Sequence, residues 1–353
     1  MKKYNKILVL MLVVVFSLVL VCAGCSQGDT DTTAKGDKKI TVTDGLGREV
    51  VLDKAAEKVV SPYGIAVQMM FTLGAQDSLA GVGSPMLKNP FFKAIKPDIV
   101  DLPVVGTPQE FNIEQCISLK PDLVLLPGRN KELVDNLEAK GINVFGVVAE
   151  DMDELKNSVL ELGKALGKEE QAQEFVKYYD DTMKMVNDKT AGIDDKDKPT
   201  VYLVGPMGVL STCSQDMYQN YLIELAGGKN AAAELKGGWV DVSPEQVINW
   251  NPDIMVAVQY TTGVTIEDIL KDKRWQGIDA VKNKEVFWFP SILNPWDYPS
   301  PEAALGIQWL AQKLHPEQFK DLDMVKEADD FYKKFYGKTF TELGGDLTSQ
   351  EKY

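Results

Sequence analysis

The chain has 353 residues, 44% hydrophobic and 25% charged, and 38 basic against 52 acidic side chains give a net charge of −14. This is a folding composition at a length suited to two domains, and with no basic run after the first six positions it excludes a nucleic-acid-binding face. A single histidine, His315, excludes metal sites built from several imidazoles.

Residues 1–24 read as a signal peptide. Lys2, Lys3 and Lys6 precede an apolar run over positions 7–21 broken only by Ser17, and Ala23-Gly24 offers small residues for cleavage. The run is 15 residues long, short of the roughly 20 that a transmembrane helix needs. Cys22-Ala23-Gly24-Cys25 resembles a bacterial lipobox, departing from it at Cys22, where leucine is usual. The resemblance implies diacylation of Cys25 and an extracytoplasmic protein anchored to the cell membrane, two acyl chains being enough for stable attachment. Cleavage before Cys25 removes three lysines and no acid, taking the charge to −17. Residues 25–39 then form a lipidated tether. From Ser26 to Lys39 only Ala34 is apolar, so the segment is expected to be flexible, with a reach of roughly 20 Å.

Residues 40–151 are assigned to an N-terminal α/β lobe. Positions 40–42 and 49–52 flank Asp44-Gly45-Leu46-Gly47, a hairpin signal. Positions 58–62 read as a strand and 66–73 as the helix after it, stopped by Gly74. Further buried strands are expected at 79–83, 104–105, 122–126 and 143–147, with helices between. Such alternation makes a parallel sheet covered on both faces. Residues 152–193 carry helical periodicity without proline, through Leu155, Val159, Leu162 and Leu166, then Phe175, Tyr179, Met183 and Val186. They predict a helix to Leu166, a turn at Gly167-Lys168 and an interlobe helix over 169–189, together a helical connector. A C-terminal α/β lobe, residues 194–345, follows with strands at 200–204, 253–258 and 285–289. The expected fold class is α/β: two α/β lobes, each with a mainly parallel sheet, joined by a long helix. Cys116 and Cys213 fall in different lobes and read as small core residues rather than a disulfide.

Residues 112–124 align without a gap with residues 243–255, sharing Glu, Gln, Ile, Pro and Asp at a spacing of 131. In each copy a capped short helix is ended by Pro-Asp and followed by an apolar strand. Pro-Asp alone is a common connector, but five identities in one ungapped stretch favour an internal duplication.

The segments ITVTDGLGREVVL, KVVSPYGIAVQMMFTLGAQDSLAGVG, NIEQCISLKPDLVLLPG, LIELAGGKNAA, SPEQVINWNPDIMV and PSPEAALGIQWLAQKLHP carry a further resemblance. Together they resemble the solute-binding lipoproteins of ABC importers, in the class with a single rigid interlobe helix that serves iron-siderophore, haem, cobalamin and some oxyanion transporters. The likeness runs from about residue 40 to 337. It implies a ligand in the cleft between two α/β lobes, small hinge closure, and delivery to an ABC permease and its ATPase. No cofactor is called for, and a monomer is expected. The resemblance also implies one permease-facing glutamate on each lobe, which falls on Glu114 and Glu245 at equivalent repeat positions. A glutamate at a helix start also favours the helix dipole; its recurrence in both copies favours docking.

Loops at the carboxyl ends of parallel strands are the default ligand sites of such sheets. They nominate Tyr63, Met86, Thr107, Arg129 and Asn130 in the first lobe, and Met207, Trp239, Gln259, Tyr260 and Trp296 in the second. Arg129 is the candidate partner of an anionic group, because guanidinium pairs bidentately with carboxylate, phosphate or oxyanion. With one histidine, direct coordination of a bare metal is disfavoured. The expected cargo is therefore a chelated metal, an iron-siderophore or related complex. Cobalamin or another corrinoid, haem, and a molybdate-type oxyanion are the alternatives. An enzyme is not expected: there is no GxSxG, P-loop or HExxH, and Pro206 removes an amide donor from Gly205-Pro206-Met207-Gly208. His315, next to Pro316 at a helix end, reads as a partner of the C-terminal helix dipole. A lipid-anchored scaffold with no small ligand is the alternative from a different class.

Overall fold

The computed structural model describes residues 39–347; the expected signal peptide, Cys25 and nearly all of the tether lie outside them. Strands β1 (Ile40–Thr43) and β2 (Glu49–Leu52) form an antiparallel hairpin. The first large sheet is built from β3 (Val59–Ser61), β4 (Leu79–Val82), β5 (Leu123–Pro127) and β6 (Val144–Val147), in the order β4-β3-β5-β6. All its pairings are parallel.

The second sheet comprises β7 (Thr200–Val204), β8 (Ser211–Cys213), β9 (Lys229–Asn230), β10 (Trp239–Asp241), β11 (Ile254–Ala257) and β12 (Val286–Trp288). Its order is β10-β8-β7-β11-β12, with β9 also on β7. Pairings among β9, β7, β11 and β12 are parallel, and those of β8 and β10 antiparallel. Alternate residues enter different cores, as a two-residue period requires. Leu123 and Leu125 face one cluster while Val124 and Leu126 face another; Val201 and Leu203 part from Tyr202 and Val204 in the same way.

Two departures from the sequence reading concern strands. Val104-Val105 makes only an isolated bridge, Val82↔Val104, where Pro103 and Gly106 leave no room for a strand. Strands β8, β9 and β10 were not foreseen, being two or three residues long and partly polar.

The connector consists of helices Met152–Leu166 and Glu169–Thr190. The Asp151 carboxylate caps the first by accepting from the Glu154 amide at 2.8 Å, and Gly167, at φ 64°, ends it in the left-handed conformation. Helix Glu169–Thr190 turns Phe175, Tyr179 and Val186 inward. The buried Tyr179 hydroxyl shares its one hydrogen between the carbonyls of Ser300 (3.0 Å) and Pro301 (3.1 Å) and accepts from the Ala304 amide at 3.0 Å. That amide lies in the first turn of helix Ala303–Leu314, where backbone donors lack helical partners.

The repeat is visible in three dimensions. Helices Ile113–Ser118 and Pro244–Trp250 are capped by Asn112 and Ser243, whose side chains accept from the Gln115 and Gln246 amides. Each ends at a non-glycine residue of positive φ, Lys120 (51°) or Asn251 (45°). The aspartate after the proline then clamps the neighbouring strand. Asp122 accepts from the Lys58 amide at 2.9 Å and Asp253 from the Thr200 amide at 2.7 Å.

The largest apolar cluster runs through both halves. It joins Val59 and Leu125 of the first sheet, Leu203 and Val256 of the second, and Phe175 and Tyr179 of the connector. Helix Met324–Tyr336, late in the chain, crosses back to the first half, with Tyr336 edge-on to Phe91 at 4.8 Å. Cys116 and Cys213 are buried and unpaired, and burial pushes their thiols up to about 11 and about 12.

His315 departs from its expected role. It ends helix Ala303–Leu314, but its Nε2 lies 3.1 Å from the Gly227 carbonyl, and burial lowers its pKa. A neutral ring donating to another segment replaces the expected cation on the helix dipole.

Candidate ligand cavity

A cavity of about 590 Å³ opens between the two halves. Its first wall grows from the carboxyl end of β3. Ser61 Oγ donates to the Leu125 carbonyl (3.0 Å) and accepts from the Tyr63 amide (3.1 Å), fixing Tyr63 at the start of helix Gly64–Thr72. Tyr63, Gln68, Met86, Asn89, Phe92, Arg129 and Glu150 complete that wall. Burial pushes the Tyr63 phenol up to about 12, opposed by the nearby Arg129 guanidinium, so Tyr63 stays neutral.

The second wall comes from Asp216, Met217, Tyr218 and Gln219, the Gly237-Gly238-Trp239 turn, Tyr260, and the loop containing Asn294, Pro295, Tyr298 and Pro299. That loop is held from behind by Tyr179 and by Gly306, where an added Cβ would lie 2.2 Å from the Trp296 carbonyl oxygen. Asp297 lies fully buried within it. The Tyr260 hydroxyl donates to Asp297 Oδ2 at 2.6 Å, and Gln219 Nε2 donates to the Asp297 carbonyl at 3.1 Å. Burial pushes the Asp297 carboxyl up to about 6 against the pull of Tyr260.

A polar relay crosses the cavity base. Asn89 Nδ2 donates to Asn294 Oδ1 (3.4 Å), Asn294 Nδ2 to Glu302 Oε1 (2.9 Å), and the Tyr336 hydroxyl to the same Oε1 (2.8 Å). Ser300 Oγ donates to Glu302 Oε2 at 3.2 Å. The fully buried carboxyl is therefore satisfied, as buried acids require, although burial still raises its pKa.

Of the nominated residues, Tyr63, Met86, Arg129, Trp239 and Tyr260 lie on the cavity wall and five do not. Trp296 is 1% exposed and packs on Phe340, its ring turned into the core. Thr107 Oγ1 accepts from the Glu110 amide, and Asn130 Nδ2 donates to the Pro108 carbonyl, so both are spent on bracing the rim. Met207 projects into solvent at 75% exposure from a tight turn, and Gln259 is half-buried off the wall. Sequence reasoning missed Gln68, Asn89, Tyr218, Gln219 and Asn294. The Asn-Pro-Trp-Asp-Tyr-Pro run carried a signal, but it pointed at the tryptophan instead of the residues on either side.

Two lobes that share a chamber, with side chains from both converging on it, have the architecture of a solute-binding protein. Residues 59–293 match the periplasmic binding protein family, and the chain belongs to it. The molybdate-binding protein MolA of Haemophilus influenzae is 29% identical over 88% of this chain and 92% of its own. The structure of MolA bound to molybdate matches with a TM-score of 0.74 at 27% identity, covering 85% of this chain and 98% of that one. The ABC transporter substrate-binding lipoprotein YvrC of Bacillus subtilis is 28% identical over 85% of this chain and 94% of its own. The vitamin B12-binding protein of Yersinia pestis is 24% identical over 74% and 87%. This chain is accordingly a periplasmic-type solute-binding protein of an ABC importer and not an enzyme.

Proposed function

We propose that the protein captures a chelated metal, an iron-siderophore or related complex, in the cavity between its lobes and delivers it to an ABC permease. The observation that carries this reading is the size and charge of the chamber. Its volume of about 590 Å³ is in the range that holds drug-sized ligands, and a five-atom oxyanion would fill only a small part of it. Arg129 is the one cation among its lining residues, against the acids Glu150 and Asp216, with Asp297 buried behind Tyr260. Aromatic faces at Tyr63, Trp239, Tyr260 and Tyr298 suit a large, partly apolar complex of low net charge. A second reading, a molybdate-type oxyanion on Arg129, is favoured by the likeness to MolA; a corrinoid is favoured by the vitamin B12-binding relative.

Native mass spectrometry of protein purified from its own host without refolding, followed by calorimetry with a neutral ferric trihydroxamate, cyanocobalamin and sodium molybdate, tests the assignment. Tight molybdate binding with no affinity for either complex would overturn it. In the proposed reading Arg129→Ala weakens binding while Lys140→Ala, at a distant helix end, leaves it unchanged.

The proposal places Glu114 and Glu245 against permease arginines. Both are exposed and neither forms an ion pair among the described residues. Each has an exposed isoleucine one turn on, Ile117 at 41% and Ile248 at 42%, at matching repeat positions. Acylation of Cys25 and the tether over 25–39 belong to the same proposal, in keeping with the lipoprotein name of YvrC; mass analysis of the mature N-terminus checks them.

A further inference from the structure

We propose that Asp297 fixes Tyr260 as a hydrogen-bond acceptor toward the cavity, so that the second-lobe wall selects ligands presenting N–H groups there, cationic ones above all. The inference rests on the reading of the cavity as the ligand site. A phenol has one hydrogen, and that of Tyr260 is held by Asp297 Oδ2 at 2.6 Å. What remains is the oxygen's lone pairs, shared between a ligand and the neighbouring Tyr298 hydroxyl. The arrangement is locked because Asp297 is fully buried and has no ion pair with a lysine or arginine among the described residues. A buried carboxylate in that position needs its hydroxyl donor.

The surroundings reinforce the polarity. Asp297 Oδ1 is buried with no hydrogen-bond partner, as is the hydroxyl of Tyr218 on the cavity wall. Gln219 uses its amide N–H on the Asp297 carbonyl, and Asp216 accepts from the Gly237 amide at 2.8 Å. The other titratable groups that Asp297 acts on, Tyr218, Tyr298 and Cys213, all have raised pKa values and stay neutral. Acceptors on this wall are thus the Tyr260 oxygen and the Asp216 carboxylate, beside the neutral hydroxyls of Tyr218 and Tyr298, while the cation Arg129 stands on the opposite lobe. A fitting ligand is two-ended, with an anionic or oxygen-rich part toward Arg129 and an N–H-bearing part toward Tyr260.

Two fragments read the two ends separately: benzylammonium chloride for the Tyr260 wall and sodium benzoate for Arg129. Both are titrated into ¹⁵N-labelled protein, with the Trp239 indole N–H signal, assigned through Trp239→Phe, as the reporter. Asp297→Asn and Tyr260→Phe should each weaken benzylammonium about tenfold or more, the equivalent of one hydrogen bond to a charged group. Benzoate should respond to Arg129→Ala and to neither of the other two. Burial holds Asp297 near a pKa of about 6, so benzylammonium binding to the wild type should weaken as pH falls from 8 to 5, and not in Asp297→Asn. Tyr260→Phe keeps the test decisive should Asp297→Asn fold poorly. Equal benzylammonium affinities across the variants, or benzoate binding with no benzylammonium binding, would overturn the proposal alone. If neither fragment moves the Trp239 signal, the cavity reading falls as well.

Discussion

Removing one oxygen atom from the connector should destabilise the protein measurably at a distance from any ligand. In Tyr179→Phe the ring keeps its place beside Phe175, 4.8 Å away, but the Ala304 amide loses its acceptor and the Pro301 carbonyl its Tyr179 donor, while the Ser300 carbonyl keeps the Ala303 amide at 3.0 Å. All of these groups lie in the buried core. An unsatisfied buried group costs about 1–3 kcal/mol, so the amide and the Pro301 carbonyl together should cost about 2–4 kcal/mol. With an unfolding entropy of about 2.1 cal/mol/K per residue over the described body, 1 kcal/mol corresponds to about 1.5 °C, and Tm should fall by about 3–6 °C. Tyr178→Phe is the control. Its half-buried hydroxyl accepts a long bond from Gln308, at 3.3 Å, and otherwise meets only side-chain partners such as Thr182, and its loss should shift Tm by less than about 2 °C. Differential scanning calorimetry on ligand-free protein decides the matter. A Tyr179→Phe midpoint within 1 °C of wild type would mean that the hydroxyl does not hold the cavity loop.

Gly306→Ala should also destabilise: the gain of about 1 kcal/mol in helix propensity is outweighed because its Cβ would lie 2.2 Å from the Trp296 oxygen. Urea unfolding checks this, and a more stable variant would refute it. The lowered pKa of His315 means that the unfolded chain takes up its proton first. Wild type should therefore lose stability relative to His315→Gln as pH drops below about 6.5, and parallel denaturation curves at pH 7.5 and 5 would contradict that. Glu114→Lys with Glu245→Lys should abolish uptake by cells carrying only that variant while ligand affinity stays within about threefold, since like charges across an interface are repulsive. Normal uptake would end the docking assignment.

Most of the fold was legible because its buried strands are apolar runs bounded by turn residues: 122–126 and 200–204 read as strands and were found as Leu123–Pro127 and Thr200–Val204. The connector was equally plain, since its period of 3.6 persists on both sides of Gly167. Strands such as Ser211–Cys213 escaped because three residues cannot display a period. The site was legible only in part. Aromatic side chains in loops look alike in sequence, so Trp239, on the cavity, and Trp296, in the core, were nominated on equal grounds. Asn89, Gln219 and Asn294 carry no signature at all; their meaning comes from bonds to residues 78 to 205 positions away.

The crossing of helix Met324–Tyr336 onto the first half bears on how the protein can be made. Phe91 meets Tyr332 and Tyr336, and Lys338 reaches the Ala94 carbonyl at 2.8 Å. A chain emerging N-terminus first cannot complete the apolar interior of its leading half until almost its last residues are out. Contacts of such long sequence separation form slowly. A secreted nascent chain built this way would stay loosely collapsed, and so threadable through a narrow pore, until release; truncation near residue 320 should leave two unfinished halves and a substrate for proteases.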